Sequence, residues 1–319
     1  MLDRRRFLHT ALATAALPAP RAQTPAARPA TPAPDWGGPV IDIHLHLRRD
    51  LDANMVHMQG CGVSNANLLS RDNSADQVHA MQHKYPGHFV WSAGTNAASP
   101  EAADLLRKAV KDGGAIGLGE MKSHVEADGP EMRKIYALAA ELHVPITVHF
   151  QEVDHYPGEG KWNSGFKRFD AILKANPKTT FVGHADAFWA NISADYAEQS
   201  DYPSGPIKRG GITDRWLSDY PNLFGDLSAN SGNNALSRDP GFTPDFLKRH
   251  QDKLMFGSDC GCSDGNGGGV SQGRNPNASR LAGKCVARET LAVLKKATTP
   301  ALFRKITWEN AHRVYRISS

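Results

Sequence analysis

Short apolar or β-branched runs recur from Val40 onward and alternate with stretches of helical pattern. Eight such runs span residues 40–46, 63–69, 88–94, 115–120, 145–150, 179–184, 223–228 and 254–259. Between them, apolar side chains repeat every three to four residues, most clearly over 102–110, 130–142 and 166–175. Eight buried runs separated by helices predict a parallel sheet closed as a (β/α)8 TIM barrel, a single α/β domain. An open doubly wound sheet is the alternative, but no glycine-rich phosphate loop follows the first run.

Two connections are too long to be simple turns. Residues 185–222 follow the sixth run, and residues 260–285, which include seven glycines, follow the eighth. Because barrel enzymes build their active sites from loops after strand ends, we expect functional loops after strands six and eight. Four loop residues are candidates to line a pocket: Trp162, Asn163, Trp189 and Arg274.

The first residues have the composition of an export signal. Arg4-Arg5-Arg6-Phe7-Leu8 resembles a twin-arginine motif, and a short, weakly apolar run follows it. We therefore predict a signal peptide over 1–22, a Pro/Ala-rich linker over 23–36 and the barrel over 37–319. The protein is then expected in the periplasm or outside the cell. A disordered basic tail is the alternative.

The charge of the chain names no charged partner. The formal net charge is +4, but the predicted signal peptide alone contributes four arginines against one aspartate, so the remainder is close to neutral. No basic stripe suggests nucleic-acid binding, and the apolar run near the start is too short to span a bilayer, which takes about 20 residues. We expect a small-molecule substrate, no nucleic acid, no membrane span and an oligomeric state that the sequence leaves open.

Histidine and acidic residues fall at the carboxyl ends of the predicted strands. The first run carries Asp42, His44 and His46 at alternate positions, which predicts that the three share one face, opposite the apolar residues between them. Four other runs each end in one such side chain: Glu120, His149, His184 and Asp259. In a barrel these ends converge, and imidazoles and carboxylates are ligands that suit zinc and similar ions. Asp42 is either a further ligand or a residue that orients the imidazoles.

This ordered set resembles the amidohydrolase superfamily of metal-dependent barrel enzymes. The resemblance covers about Val40 to Tyr315 and includes the closing segment Trp308-Glu309-Asn310-Ala311-His312-Arg313-Val314-Tyr315. That segment is similar to the last helix of the branch that holds amidohydrolases and decarboxylases. The resemblance implies one or two divalent ions, with zinc expected, held by the six residues His44, His46, Glu120, His149, His184 and Asp259.

The resemblance also implies the chemistry. A hydrolase of this type uses a metal-activated water to cleave an amide, ester or lactone bond, with Asp259 as the proton acceptor and donor. Glu120 holds the position that bridges two ions in some members, while Lys122 is a possible carbamylated bridge that we interpret instead as an ion-pair partner. With a single ion, His184 becomes a second acid–base or carbonyl-polarising group. A non-oxidative decarboxylase and a non-catalytic metal-binding barrel are the alternatives.

Four cysteines allow three disulfide pairings. We predict a Cys262–Cys285 disulfide that closes the glycine-rich segment, as suits an exported protein. A metal site built on Cys260-x-Cys262 is the alternative, although the local sequence lacks the second pair of ligands that structural zinc requires. Of the histidines away from strand ends, including His57 and His250, we expect solvated or capping roles, with His124 and His155 near the mouth of the site.

Overall fold

The structure is a computed structural model that describes residues 32–156, 158–159, 164–198, 200–269 and 280–317. The predicted signal peptide, most of the linker and the candidate pocket residues Trp162, Asn163 and Arg274 lie outside the described residues. Export and the domain boundaries therefore stay predictions. Within the described part of the chain, no helix is both long enough and apolar enough to cross a membrane.

Eight parallel strands alternate with helices and form one sheet in sequential order, which confirms the predicted (β/α)8 barrel. The strands are β1 (Ile41–His46), β2 (Asn65–Arg71), β3 (Phe89–Gly94), β4 (Gly117–Met121), β5 (Ile146–His149), β6 (Phe181–His184), β7 (Leu223–Asp226) and β8 (Leu254–Met255). Each overlaps one of the predicted runs, because buried parallel strands are continuous apolar segments, although the ends of several strands differ from the prediction.

The barrel closes where β8 and the residues after it meet β1. Strand β8 is only two residues long, although the predicted run extended to Asp259. Beyond β8 the closure is made by backbone hydrogen bonds from Ile43 N to Phe256 O (3.1 Å) and from Asp259 N to His44 O (2.7 Å). Asp259 adopts a left-handed conformation (φ 47°), which interrupts the extended backbone at this residue.

The helices surround the sheet. They are α1 (Ala53–Cys61), α2 (Ala75–Lys84), α3 (Ala102–Lys111), α4 (Pro130–Leu142), α5 (Phe169–Ala175), α6 (Asp186–Ala190), α7 (Ile212–Asp219), α8 (Ala229–Ser237), α9 (Thr243–Arg249), α10 (Val286–Ala297), α11 (Pro300–Arg304) and α12 (Asn310–Tyr315). A 3₁₀ turn over Phe166–Arg168 precedes α5, and a π-helical turn over Lys305–Glu309 precedes α12. The three helices expected most clearly from periodicity are present as α3, α4 and α5.

A small apolar layer lies beneath the predicted ligands. Val182 and Phe224, each two residues before the end of its strand, pack with Ile41, Ile43 and Met255 and with Ala311 and Tyr315 of α12. The Tyr315 hydroxyl lies 3.3 Å from Thr147 Oγ1, which is two residues before His149. Because alternate residues of a strand share a face, this layer fills the barrel below the strand ends, with α12 against it.

The predicted alternation along β1 is wrong in detail. It placed Ile41, Ile43 and Leu45 on one face, but Ile41 and Ile43 pack in the small layer while Leu45 packs in the main core. The pairing register between β1 and β2 shifts between Asp42 and Leu45. An extra residue in one strand reverses the face of the residues that follow it, so a strict period of two cannot hold across it.

The connection after β6 is not a structureless loop. Helices α6 and α7 lie within it, and Trp189 of α6 is buried in the core with its indole donating to Asp226 O at 2.8 Å. Trp189 is therefore a packing residue and not a pocket residue.

Candidate metal centre

The predicted ligands converge at the carboxyl end of the barrel in two adjacent groups. The first contains His44, His46 and Asp259, and the second contains Glu120, His149 and His184. In each group the potential ligand atoms lie within 4.8 Å of one another. All six residues come from strand ends or, for Asp259, from the segment that closes the barrel.

The first group joins β1 to the segment after β8. Asp259 Oδ1 lies 3.2 Å from His46 Nε2 and 3.9 Å from His44 Nε2. His44 is fully buried, whereas the side chain of His46 is half exposed and faces the mouth of the barrel. The backbone bond from Asp259 N to His44 O holds these ligands together without any ion.

The second group surrounds the Glu120 carboxylate. Glu120 Oε1 lies 2.6 Å from His149 Nδ1 and 3.3 Å from His184 Nε2. Its other oxygen, Oε2, faces the first group, 3.5 Å from His46 Nε2 and 3.9 Å from His44 Nε2. One carboxylate therefore reaches both groups, one oxygen to each.

Local backbone geometry places Glu120 at this point. Gly119, directly before it, has φ 125°, a conformation that side-chain-bearing residues rarely adopt. A Cβ at Gly119 would also lie 2.8 Å from the carbonyl oxygen of Thr147 in β5. Only glycine allows this close approach of β4 to β5, so Gly119 is part of the construction of the site.

The electrostatics of the groups fit a cation. Burial opposes protonation of His44, yet the carboxylates of Asp226, Asp259 and Glu120 outweigh it and raise the pKa of His44 above its usual value. Burial likewise opposes ionisation of Asp259, but His44 and His46 keep the pKa of Asp259 well below its ordinary range. The site therefore concentrates negative charge that a bound cation would neutralise.

Two imidazole atoms have the properties of ligands. His44 Nε2 is buried and has no hydrogen-bond partner among the described residues, although it faces two carboxylates. Burial and the nearby charge of Lys122 lower the pKa of His149, which favours the neutral imidazole that binds metals. His149 Nε2 is turned away and contacts Gln151 Oε1 at 2.9 Å, leaving Nδ1 toward Glu120. The residues present thus fit a divalent ion in each group.

Sequence reasoning missed a buried carboxylate beneath the ligands. Asp226, at the end of β7, contacts His44 Nδ1 at 2.6 Å and lies 3.6 Å from His184 Nδ1. The Ser228 hydroxyl lies 2.8 Å from the same atom of His184. These contacts turn the Nε2 atoms of both imidazoles toward Glu120. The signal was available, because a glycine followed by an acidic or imidazole residue ends β7 as it does β6.

Asp42 lies behind the ligands and is not in either ligand group. Its Oδ1 accepts hydrogen bonds from the backbone amides of His44 (3.0 Å) and Ser258 (2.9 Å), so it links β1 to the closing segment. Burial raises the pKa of Asp42 to about 6 despite these hydrogen bonds. Both bonds go to backbone amides and neither reaches an imidazole ring, so Asp42 supports the backbone at His44 and Ser258 and does not, through these bonds, orient an imidazole, as the alternative expected.

A cleft of about 810 Å³ opens beside the ligands His46 and Glu120. Arg71 at the end of β2 and Lys122 and His124 after β4 also line it. Burial opposes protonation of Lys122, but the charges of Glu120 and Asp259 raise its pKa above the usual value, so it is a cation at neutral pH. The cleft thus presents positive charge next to the candidate metal centre.

His155 lies on the other side of the centre, with its ring 6.4 Å from that of His149. Its Nε2 lies 2.9 Å from Asp186 Oδ1 of α6. The expected position of His155 near the site therefore agrees with the structure. His57, expected to be solvated or capping, is instead buried within α1. His250 is the C-cap residue of α9, as the expectation allowed, but it is buried, with Nε2 2.6 Å from Asp214 Oδ1.

No protein-family model matches the sequence, and a search of curated proteins gives no significant match. Solved structures do match. A protein described as a 2-pyrone-4,6-dicarboxylic acid hydrolase from Pseudomonas putida gives a TM-score of 0.55 at 12% identity, over 88% of this chain and 98% of that chain.

Two further matches are to enzymes that are named for different reactions. A 5-carboxyvanillate decarboxylase from Novosphingobium aromaticivorans, solved with bound manganese, has a TM-score of 0.55 at 12% identity over 88% of this chain and 98% of its own. A dihydroorotase from Campylobacter jejuni has a TM-score of 0.51 at 15% identity over 88% of this chain and 84% of its own. The protein therefore shares its barrel fold with these two hydrolases and with this decarboxylase.

Proposed function

We propose that the protein is a metal-dependent hydrolase of the amidohydrolase type that cleaves an amide, ester or lactone bond in a small molecule. The observation that carries the proposal is the Glu120 carboxylate, whose two oxygens face separate ligand groups. This arrangement suits a pair of ions bridged by one carboxylate. Nitrogen and oxygen ligands without sulfur suit zinc among several divalent ions, and zinc is our expectation.

The site residues would have separate roles in metal binding and proton transfer. His44, His46 and Asp259 would hold one ion, and His149 and His184 the second, with Glu120 between them. A bound divalent ion lowers the pKa of water and polarises a carbonyl oxygen. Asp259, which is ionised at neutral pH, can accept a proton from the attacking water on its carboxylate and return it to the leaving group. If only one ion binds, His184 Nε2 is available for acid–base chemistry.

The cleft favours an anionic substrate. Arg71 and Lys122 line it beside His46 and Glu120, so a substrate carboxylate would meet positive charge while its scissile bond faces the metal centre. Two of the structural matches are named for compounds that carry carboxyl groups. We propose a small carboxylate-bearing amide, ester or lactone as the substrate class.

A non-oxidative decarboxylase is the second candidate. The match to 5-carboxyvanillate decarboxylase equals the best of the hydrolase matches above, and the closing helix α12 fits either branch. This candidate would be favoured if the protein releases carbon dioxide from aromatic carboxylates and does not hydrolyse cyclic amides or lactones.

The bridging role is tested by metal content. Glu120→Gln should carry at least one divalent ion fewer per chain than the wild type, measured by elemental analysis of the purified proteins. Glu141→Gln is the matched control, because Glu141 pairs with Arg107 on the surface, outside both ligand groups. Equal metal content in wild type and Glu120→Gln would contradict the two-ion arrangement.

The proton-transfer role is tested by turnover. Asp259→Asn should keep the fold, seen by circular dichroism, and lose about 10²-fold or more in kcat on any amide, ester or lactone that the wild type cleaves. The carboxamide cannot accept the proton, although it can still occupy the same space. Near-wild-type turnover in this variant would rule out the assigned role.

A further inference from the structure

A second cluster of ligand-type side chains lies where α1, the segment after β8 and the start of α10 meet, apart from the six predicted ligands. It consists of His57 of α1, Cys260 and Cys262 in the segment after β8, and Cys285 directly before α10. All four residues are buried, and their ligand atoms lie within 4.8 Å of one another. The predicted Cys262–Cys285 disulfide is not formed: all four cysteines of the chain are free thiols.

The spacing of the cluster is that of a tetrahedral metal site. Cys260 Sγ lies 3.3 Å from Cys262 Sγ and 3.8 Å from Cys285 Sγ, and Cys262 Sγ lies 3.5 Å from His57 Nδ1. Zinc bond lengths of about 2.3 Å to sulfur and about 2.05 Å to nitrogen give edges of roughly 3.8 Å and 3.5 Å in a tetrahedron. A disulfide would use two of these sulfurs and leave a buried thiol and a buried imidazole beside it.

The surrounding structure fixes the segment that bears two of the ligands. The Arg48 guanidinium donates hydrogen bonds to the carbonyl oxygens of Cys260 (3.0 Å) and Cys262 (2.8 Å). Helix α1 approaches the same segment so closely that a Cβ at Gly60 would lie 1.8 Å from the Asp264 carbonyl oxygen. Helix α1 and the segment after β8 are therefore held in place beside the cluster by contacts outside it.

We propose that His57, Cys260, Cys262 and Cys285 form a structural site for zinc, separate from the catalytic centre. Three thiolates and one imidazole, all buried, complete four-coordination and leave no open position for a substrate. The ion would join α1, the segment after β8 and the start of α10. Since Cys260 directly follows Asp259, the site would also brace the backbone of a catalytic ligand.

Mercurial titration with a chromogenic zinc indicator tests the proposal on the purified full-length protein. Mercury displaces zinc from thiolates but not from imidazole and carboxylate ligands. We expect one equivalent of zinc to be released per chain from the wild type and none from Cys262→Ser, Cys285→Ser or His57→Ala. Cys61→Ser is the near-neighbour control: Cys61 is equally buried and its Sγ lies 3.8 Å from His57 Nε2, on the ring atom that faces away from Cys262, but Cys61 is outside the four-residue group, so this variant should release the same equivalent as the wild type.

Cobalt substitution provides a second readout that does not depend on whether the variants fold. The wild type loaded with cobalt should show a sulfur-to-cobalt charge-transfer band, which the sulfur-free catalytic centre cannot produce. The proposal is overturned if the wild type releases no zinc on mercuration and shows no such band, or if its mass reveals a disulfide. Loss of zinc in Cys61→Ser together with retention in His57→Ala would overturn the assigned ligand set. Neither readout uses activity, so a failure of the hydrolase proposal would leave this result unchanged.

Discussion

The contact between Asp226 and His44 has a counterpart elsewhere in the fold. Asp226 Oδ2 lies 2.6 Å from His44 Nδ1 beneath the ligand groups, and Asp214 Oδ1 lies 2.6 Å from His250 Nε2 between α7 and the end of α9. Both are carboxylates against an imidazole, but only the first imidazole has its other nitrogen facing the candidate metal centre. Comparing these two contacts separates the effect of orienting a metal-binding imidazole from the effect of stabilising the fold.

Asp226→Asn should weaken divalent-metal binding by about 10–100-fold, because the carboxamide no longer fixes the orientation of His44. The measurement is a metal titration of the apoprotein with zinc. Asp214→Asn should leave that affinity unchanged and lower the free energy of unfolding by about 1–3 kcal/mol. An unchanged zinc affinity in Asp226→Asn would contradict the orienting role.

The stabilising effect of Asp214 should also depend on pH. Burial opposes its ionisation, but hydrogen bonds from His250 and Arg249 lower the pKa of Asp214 below the ordinary value. A depressed carboxyl pKa stabilises the fold above the unfolded-state pKa of about 4 and loses that effect as pH falls through the folded-state value. Urea denaturation should show the stability gap between wild type and Asp214→Asn closing below about pH 4. If the stability difference between wild type and Asp214→Asn stayed constant at the lowest pH measured, the predicted pH dependence would be wrong.

At the scale of elements, the close contact between α1 and the segment after β8 requires a residue without a side chain at position 60. Glycine-to-alanine changes inside helices commonly stabilise by about 1 kcal/mol. Here the added methyl group would collide with the Asp264 carbonyl, so we expect Gly60→Ala to destabilise the fold by about 1–3 kcal/mol. Gly241→Ala is the control, since its nearest neighbour would lie at an ordinary 3.4 Å. Urea midpoints compare the two, and a more stable Gly60→Ala would show that the elements can separate at little cost.

The sequence was most informative about elements that parallel-barrel geometry controls directly. Buried strands produced recognisable apolar runs, and the ends of β5 and β6 placed His149 and His184 where a barrel must bring them together. The sequence was less informative where tertiary contacts set the backbone. Asp259 lies beyond β8 in a left-handed conformation held by His44, and the register shift in β1 has no local signature.

The cysteine cluster was hidden for a similar reason. Cys260 and Cys262 are close in sequence, but His57 comes from α1, far from them along the chain, and Cys285 lies at the other end of the glycine-rich segment, directly before α10. No local spacing links these residues, so the sequence supported a disulfide as readily as a metal site. Only the packing of α1 and α10 against the segment after β8 shows that a fourth, nitrogen ligand is present.

For the whole molecule, divalent ions should contribute measurably to thermal stability. A ligand at a hundred times its Kd stabilises the state that binds it by about 2.7 kcal/mol, and each kcal/mol shifts the Tm of a domain of this size class by roughly 2–4 °C. Removal of metal with a chelator should therefore lower the Tm by roughly 5–10 °C, and added zinc should restore it. Calorimetry of the two forms provides the measurement; coincident melting curves would indicate that no ion is bound by the native state.

Because the last strand is short, few hydrogen bonds close the barrel between β8 and β1. Strand β8 contributes only Leu254 and Met255 to the sheet, and beyond it the wall depends on isolated bonds between β1 and residues 256–259. His44 lies on the β1 side of this closure and Asp259 on the other side, so an ion bound by both residues would hold the two sides together. Transient opening of the wall, which exposes its amides to exchange with solvent, should then start here in the metal-free barrel and be suppressed when the ion is in place.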